Sequence, residues 1–205
     1  MYQMLGFRHR DRLTLLDHLA YAAHPRLHAI IGIGAELTIA VANGLKRSCR
    51  QNRIDPSKRV LCFHWGGHGL QECKATLARV DQRGRKRRLR HELLDITSFI
   101  KTGDARDGWR HAVTQLVVAE RDGQFGMIVH LGEGRADDIA GDFDVMMPMI
   151  GDATLLLLRC EQRDGPMHYY DHMVRQEGWN GIIVCGLAVL QRPAYAKETS
   201  NAISA

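Results

Sequence analysis

The chain has 205 residues, 45% apolar and 25% charged, the composition of an ordinary soluble globular protein long enough to bury a real core as one domain. Its longest apolar runs, near 29–33, 154–158 and 182–190, fall far short of the roughly 20 residues a membrane-spanning helix needs, so no membrane role is expected. The segment Met1-Tyr2-Gln3-Met4-Leu5-Gly6-Phe7 lacks the pattern of a cleaved secretion signal, and none of the five cysteines falls in a C-x-x-C pair, which argues against a disulfide framework and for a cytoplasmic location.

Arg12 to Ala23 reads as a helix, with Leu13, Leu16 and Ala20 on one side, ended by Pro25. His28 to Ile33 is a short strand, and Glu36 to Arg50 a helix on which Leu37, Val41, Gly44, Leu45 and Ser48 recur at helical spacing. Between them Gly32-Ile33-Gly34 begins like a dinucleotide fingerprint, but Leu37 replaces the third glycine and Glu36 would repel a pyrophosphate. Close helix–strand packing accounts for the glycines, and the residues call for no cofactor. Asp55-Pro56-Ser57 then turns the chain into a strand over Val60 to His64, which completes the strand–helix–strand unit of a parallel sheet.

Three turns ending in Gly84, Gly123 and Gly165 suggest hairpin connections, with Val113–Val118 and Gly126–Leu131 as paired strands. Leu89, Leu93, Ile96 and Ile100 would line one helix face, and Gly132 to Asp144 reads as a glycine- and acid-rich connection. The last third returns to strand, helix, strand over Thr154–Leu158, Met167–Gln176 and Gly181–Leu190, before a small polar tail. The expected fold is therefore α/β, a mostly parallel sheet flanked by helices with an antiparallel hairpin region inserted between about Leu70 and Gly151; α+β is the alternative. Residues 1–192 form the expected single domain and 193–205 a flexible tail.

The net charge of +5 has one source: Arg83, Arg85, Lys86, Arg87, Arg88 and Arg90, without which the chain is slightly acidic. Charge confined to so short a segment suits an anionic partner, either a nucleic-acid backbone or an acidic protein, although basic runs are also common on solvated surfaces. No helix-turn-helix, zinc-finger or aromatic RNA-binding motif accompanies it, so sequence-specific reading is not expected.

The segment Val60-Leu61-Cys62-Phe63-His64-Trp65-Gly66-Gly67-His68-Gly69-Leu70 is an apolar run that stops at two histidines among glycines, as a strand delivering an imidazole to a sheet edge would. A later run, Leu155-Leu156-Leu157-Leu158-Arg159, places Cys160 at a strand end. Together Trp65-Gly66-Gly67-His68-Gly69 and the run ending in Cys160 resemble the two motifs of caspase-fold cysteine peptidases, including the CHAT-like branch. The resemblance implies a cysteine hydrolase with His68 as general base, Gly69 N–H in the oxyanion hole and Cys160 as nucleophile, the two side chains meeting on adjacent strand ends. The competing reading is a basic nucleic-acid- or partner-binding protein without catalysis.

Cys62, His64, His68 and Cys73 are also four zinc-compatible ligands in a short span, but their spacing does not form two knuckles. The His168/His172 pair lacks the glutamate of a zinc peptidase helix. No metal is assigned.

Overall fold

In a computed structural model that describes residues 9–32, 34–64, 68–84, 92–101, 106–119, 124–131, 134–160 and 165–193, the short apolar runs become strands and the amphipathic stretches become helices. Helix α1 (His9–Ala22) precedes strand β1 (Leu27–Ile31), followed by α2 (Ala35–Asn52), β2 (Val60–His64), α3 (His68–Gly84), α4 (Glu92–Ile96) and β3 (Thr97–Lys101). The second half runs α5 (Arg106–Ala119), β4 (Phe125–His130), α6 (Ala136–Asp144), β5 (Leu155–Arg159), α7 (Gly165–Arg175), β6 (Asn180–Val184) and β7 (Leu187–Gln191).

The strands form one seven-stranded sheet in the order β3-β2-β1-β4-β5-β7-β6. The first five are parallel, and β7 lies antiparallel between β5 and β6. Helices cover both faces, so the central strands are apolar at nearly every position instead of alternating with polar residues. On one face Val60, Cys62, Met127 and Val129 pack with Leu16, Val41, Leu45 and Leu77 of α1, α2 and α3. On the other, Leu61, Phe63, Phe125 and Ile128 pack with Trp109, Phe143 and Tyr169 of α5, α6 and α7. The strand period of two sends successive residues into these two cores, except at the register irregularity at the start of β4, where Phe125 and Met127 face opposite cores.

The expected class, an α/β fold with a mostly parallel sheet, is the one observed. Its antiparallel part lies elsewhere. Among the described residues between Leu70 and Gly151 the chain forms helices and two parallel strands, with Val113 inside α5, while the hairpin is β6–β7. The apolar stretch Gly181–Leu190, expected as one strand, is broken by a two-residue turn at Cys185 and Gly186, both with positive φ (53° and 72°). Glycine takes that conformation without strain, and the turn matches the twist of a tight hairpin. Among the described residues no helix is long and apolar enough to cross a membrane.

Candidate functional site at the carboxyl ends of β1 and β4

In this sheet the chain winds outward in one direction from β1, through β2 to β3, and in the other from β4, through β5. The reversal opens a crevice beyond the carboxyl ends of β1 and β4, the place where open α/β sheets hold their ligands.

The β1 side is shaped by backbone. Gly32 follows the strand at φ 97°, where a side chain would be strained. Its N–H donates to the Phe63 carbonyl (3.0 Å), and the Leu131 N–H donates to the Ile31 carbonyl (2.9 Å), so both ladders run one residue past the strands. Gly34, the N-cap of α2, offers no side-chain cap. A Cβ there would lie 2.9 Å from Leu131 Cδ1 and 3.1 Å from Leu37 Cδ1. Close packing of helix on strand thus explains Gly34, as the sequence suggested, whereas Gly32 serves the turn. The Thr38 N–H and hydroxyl both donate to the Gly34 carbonyl, at 2.8 and 2.9 Å, and close the first turn of α2. Glu36 in that turn pairs with His9 of α1.

The β4 side is built from charge. His130, the last residue of β4, donates from Nε2 to Asp142 Oδ2 at 2.9 Å, which places the ring proton on that nitrogen. Arg110 of α5 donates from Nε to Asp142 Oδ1 at 3.2 Å and from a terminal nitrogen to the Asp138 carbonyl at 3.0 Å. The Asp142 and His130 side chains are fully buried. A buried carboxylate is tolerable only with such partners, and here two cationic or hydrogen-bonding groups from different elements converge on it. Phe143 lies tilted beside the imidazole and stacks on Tyr169, whose phenol burial pushes its pKa up. Gly141 leaves room for Arg110, since a Cβ would come within 2.6 Å of its guanidinium.

At the end of β2, His64 is buried. Cys62, two residues earlier, packs its sulfur 3.5 Å from the Thr38 hydroxyl, and burial pushes its thiol up to about 12. Cys73 is likewise buried with a raised thiol pKa. These thiols are protonated packing groups. Among the described residues no cluster of three or more His, Cys, Asp or Glu side chains could hold a metal ion. His172 instead lies 3.7 Å from Glu177 on the surface. A cavity of about 380 Å³ lined by Leu13, Glu36, Ile39, Thr76, Arg79 and Val80 opens among α1, α2 and α3.

The residues expected to form a catalytic dyad are not on neighbouring strands. His68 and Gly69 open α3 directly after β2, with side chains outside the described residues, and Cys160 follows β5. Strands β1 and β4 lie between β2 and β5, a separation of three strand spacings, about 14 Å. Cys160 is buried, and its N–H donates to the Gly186 carbonyl at 2.9 Å. Of the basic cluster, Arg85, Lys86, Arg87, Arg88 and Arg90 lie outside the described residues, as does the Arg83 side chain.

Sequence reading missed His130, Asp142 and Arg110. One signal was present: Met127-Ile128-Val129-His130 is an apolar run ending in histidine, just like Val60 to His64.

No family model matches the chain, and no curated protein matches it. Solved structures do. The apo form of CalS11, a TDP-rhamnose 3'-O-methyltransferase of calicheamicin biosynthesis, matches with a TM-score of 0.63 at 11% identity, over 92% of this chain and 82% of that one. Cofactor-bound Rv0187 from MTB matches at 0.60 and 11%, with the same coverage. A Corynebacterium glutamicum protein matches at 0.54 and 14%, over 89% and 80%. Likeness at such identities speaks to fold, and it overturns the caspase-like resemblance together with the cysteine-hydrolase activity that the resemblance implied. The short motifs around His68 and Cys160 are strand ends of a different α/β topology. The chain shares its α/β fold with CalS11 and Rv0187.

Proposed function

We propose that the protein is a methyltransferase that uses S-adenosylmethionine. The observation that carries this reading is the sheet, ordered β3-β2-β1-β4-β5-β7-β6 with β7 reversed, in a chain whose fold matches that of a methyltransferase, joined to a glycine turn at the switch point.

The residues at the β1–α2 turn fit a nucleoside cofactor of this kind. Gly32 lets the backbone turn sharply without a side chain in the crevice, and the start of α2 presents main-chain N–H groups beside it. Glu36, an obstacle to a pyrophosphate, is none here, because this cofactor has no phosphate and carries positive charge on its sulfonium and amine. When bound, the cofactor supplies an electrophilic methyl group on sulfur. Its adenosine part would lie across the carboxyl end of β1, over Gly32. The Arg110–Asp142–His130 network would keep the end of β4 rigid on the acceptor side.

Isothermal titration with S-adenosylmethionine and with S-adenosylhomocysteine tests the reading. Binding is expected with Kd in the range of about 1–100 µM, comparable to ordinary enzyme–ligand affinities. Gly32→Val should weaken it at least about tenfold while circular dichroism still reports a folded chain. Absence of binding for either compound at millimolar concentration would refute the proposal.

A further inference from the structure

The last strand of the sheet carries the most exposed large apolar side chains among the described residues, Ile182 at 63% and Ile183 at 45%. They are adjacent on β6, so one emerges on each face of the sheet. The strand, Asn180-Gly181-Ile182-Ile183-Val184, has no charge and no proline, and its pairing with β7 is regular. Edge strands of soluble proteins usually carry one of those features, which discourage a second chain from adding to the edge.

We propose that β6 pairs antiparallel with β6 of a second copy of this chain, joining two sheets across a two-fold axis at Ile182. The register supports this arrangement. With a two-residue turn at Cys185–Gly186, the pairs Val184·Leu187, Ile182·Val189 and Asn180·Gln191 are the hydrogen-bonded ones, so the N–H and C=O groups of Gly181 and Ile183 point away from β7. A two-fold through Ile182 sets Gly181 of each copy opposite Ile183 of the other. Each such pair exchanges two backbone hydrogen bonds, and Ile182 meets its own equivalent at the closest side-chain spacing.

Shape fits the same register. Gly181 faces α7, where a Cβ would lie 2.5 Å from Val174 and 2.8 Å from Tyr170. Ile183 shares that face, so Ile183 of the second copy is set beside the apolar edge formed by Tyr170 and Val174. Trp179 falls across from Cys185 of the other copy. Gly181 and the Ile183 set against it both come from β6, so the edge is self-complementary, which favours a second copy over an unrelated strand.

Sedimentation velocity of the full chain from about 1 to 100 µM reads this directly. The wild type is expected to dimerise within that range. Ile182→Lys should leave it monomeric, and Ile183→Pro should weaken the dimer at least about tenfold, because it removes an N–H used only across the interface. Melting curves confirm folding, and if the proline variant does not fold, Ile182→Lys carries the decision. A wild type that stays monomeric throughout, or a dimer indifferent to Ile182→Lys, overturns the proposal.

Discussion

The two ends of the sheet each bury a histidine, and they accommodate it in opposite ways. At the carboxyl end His130 is held by Asp142, which is held in turn by Arg110, so the imidazole sits in a charged, hydrogen-bonded setting. At the amino end His28, near the start of β1, is fully buried, and neither ring nitrogen makes a hydrogen bond of good geometry. Burial holds its pKa down at about 4, with the nearby carbonyls of Leu27, Ala20 and Arg26 offsetting only part of that effect. One histidine is part of a polar structure; the other is an apolar ring that happens to be able to take a proton. The first makes the end of β4 sensitive to loss of a partner, and the second makes the other end sensitive to acid.

Removing the carboxylate should have the largest effect. Asp142→Ala leaves Arg110 and His130 without their common acceptor, and it should cost about 4 kcal/mol, within the range seen when one partner of a buried pair is deleted. The urea midpoint of unfolding measures it. A loss under 1 kcal/mol would show that the network is ornamental and that the contrast between the two histidines is false.

Acid should expose the other end. The unfolded chain protonates His28 as pH falls through 6.5, whereas the folded chain resists until about 4. Stability from this group is therefore complete above pH 6.5 and declines as pH drops toward 4, by on the order of 3 kcal/mol. His28→Leu should flatten that part of the pH–stability curve. An unchanged slope in the variant would assign acid sensitivity to other groups.

The smallest effect concerns the backbone-shaped side of the crevice. Gly34→Ala pushes a Cβ to within 2.9 Å of Leu131 Cδ1, the tip of a flexible side chain that can give way. A loss of about 1 kcal/mol is expected, typical of mild overpacking. Thermal unfolding of this variant beside Asp142→Ala compares the side shaped by packing with the side held by charge.

The fold class was legible because buried parallel strands write themselves as continuous apolar runs, and β1, β2 and β5 stand in the sequence between recognisable helices. The middle of the chain was harder for physical reasons. Val113 to Val118 is rich in β-branched residues, yet it belongs to a helix whose Trp109 and Val113 fill the core, so packing overrides local preference. Leu93 and Ile96 follow a helical spacing, but the helix stops at Ile96 and Thr97–Lys101 pairs with β2 instead. The 132–144 stretch, with its glycines and acids, looks like a connection until Ile139 and Phe143 are seen on one face of α6. The site was least legible. Arg110, Asp142 and His130 come from three elements, and nothing local announces that they converge. Histidine beside glycine, by contrast, drew attention to a short motif that unrelated α/β folds can produce at any strand end.

The Arg12 contact to the Cys185 carbonyl joins the first helix to the last hairpin across 173 positions. A chain emerging from the ribosome presents α1 long before its hairpin partner exists, so the surface that later clasps the turn waits through the synthesis of nearly the whole sheet. The turn beside the reversed strand, already held by its ladders to β5 and β6, thus gains its helix contact only from the opposite extremity of the described fold.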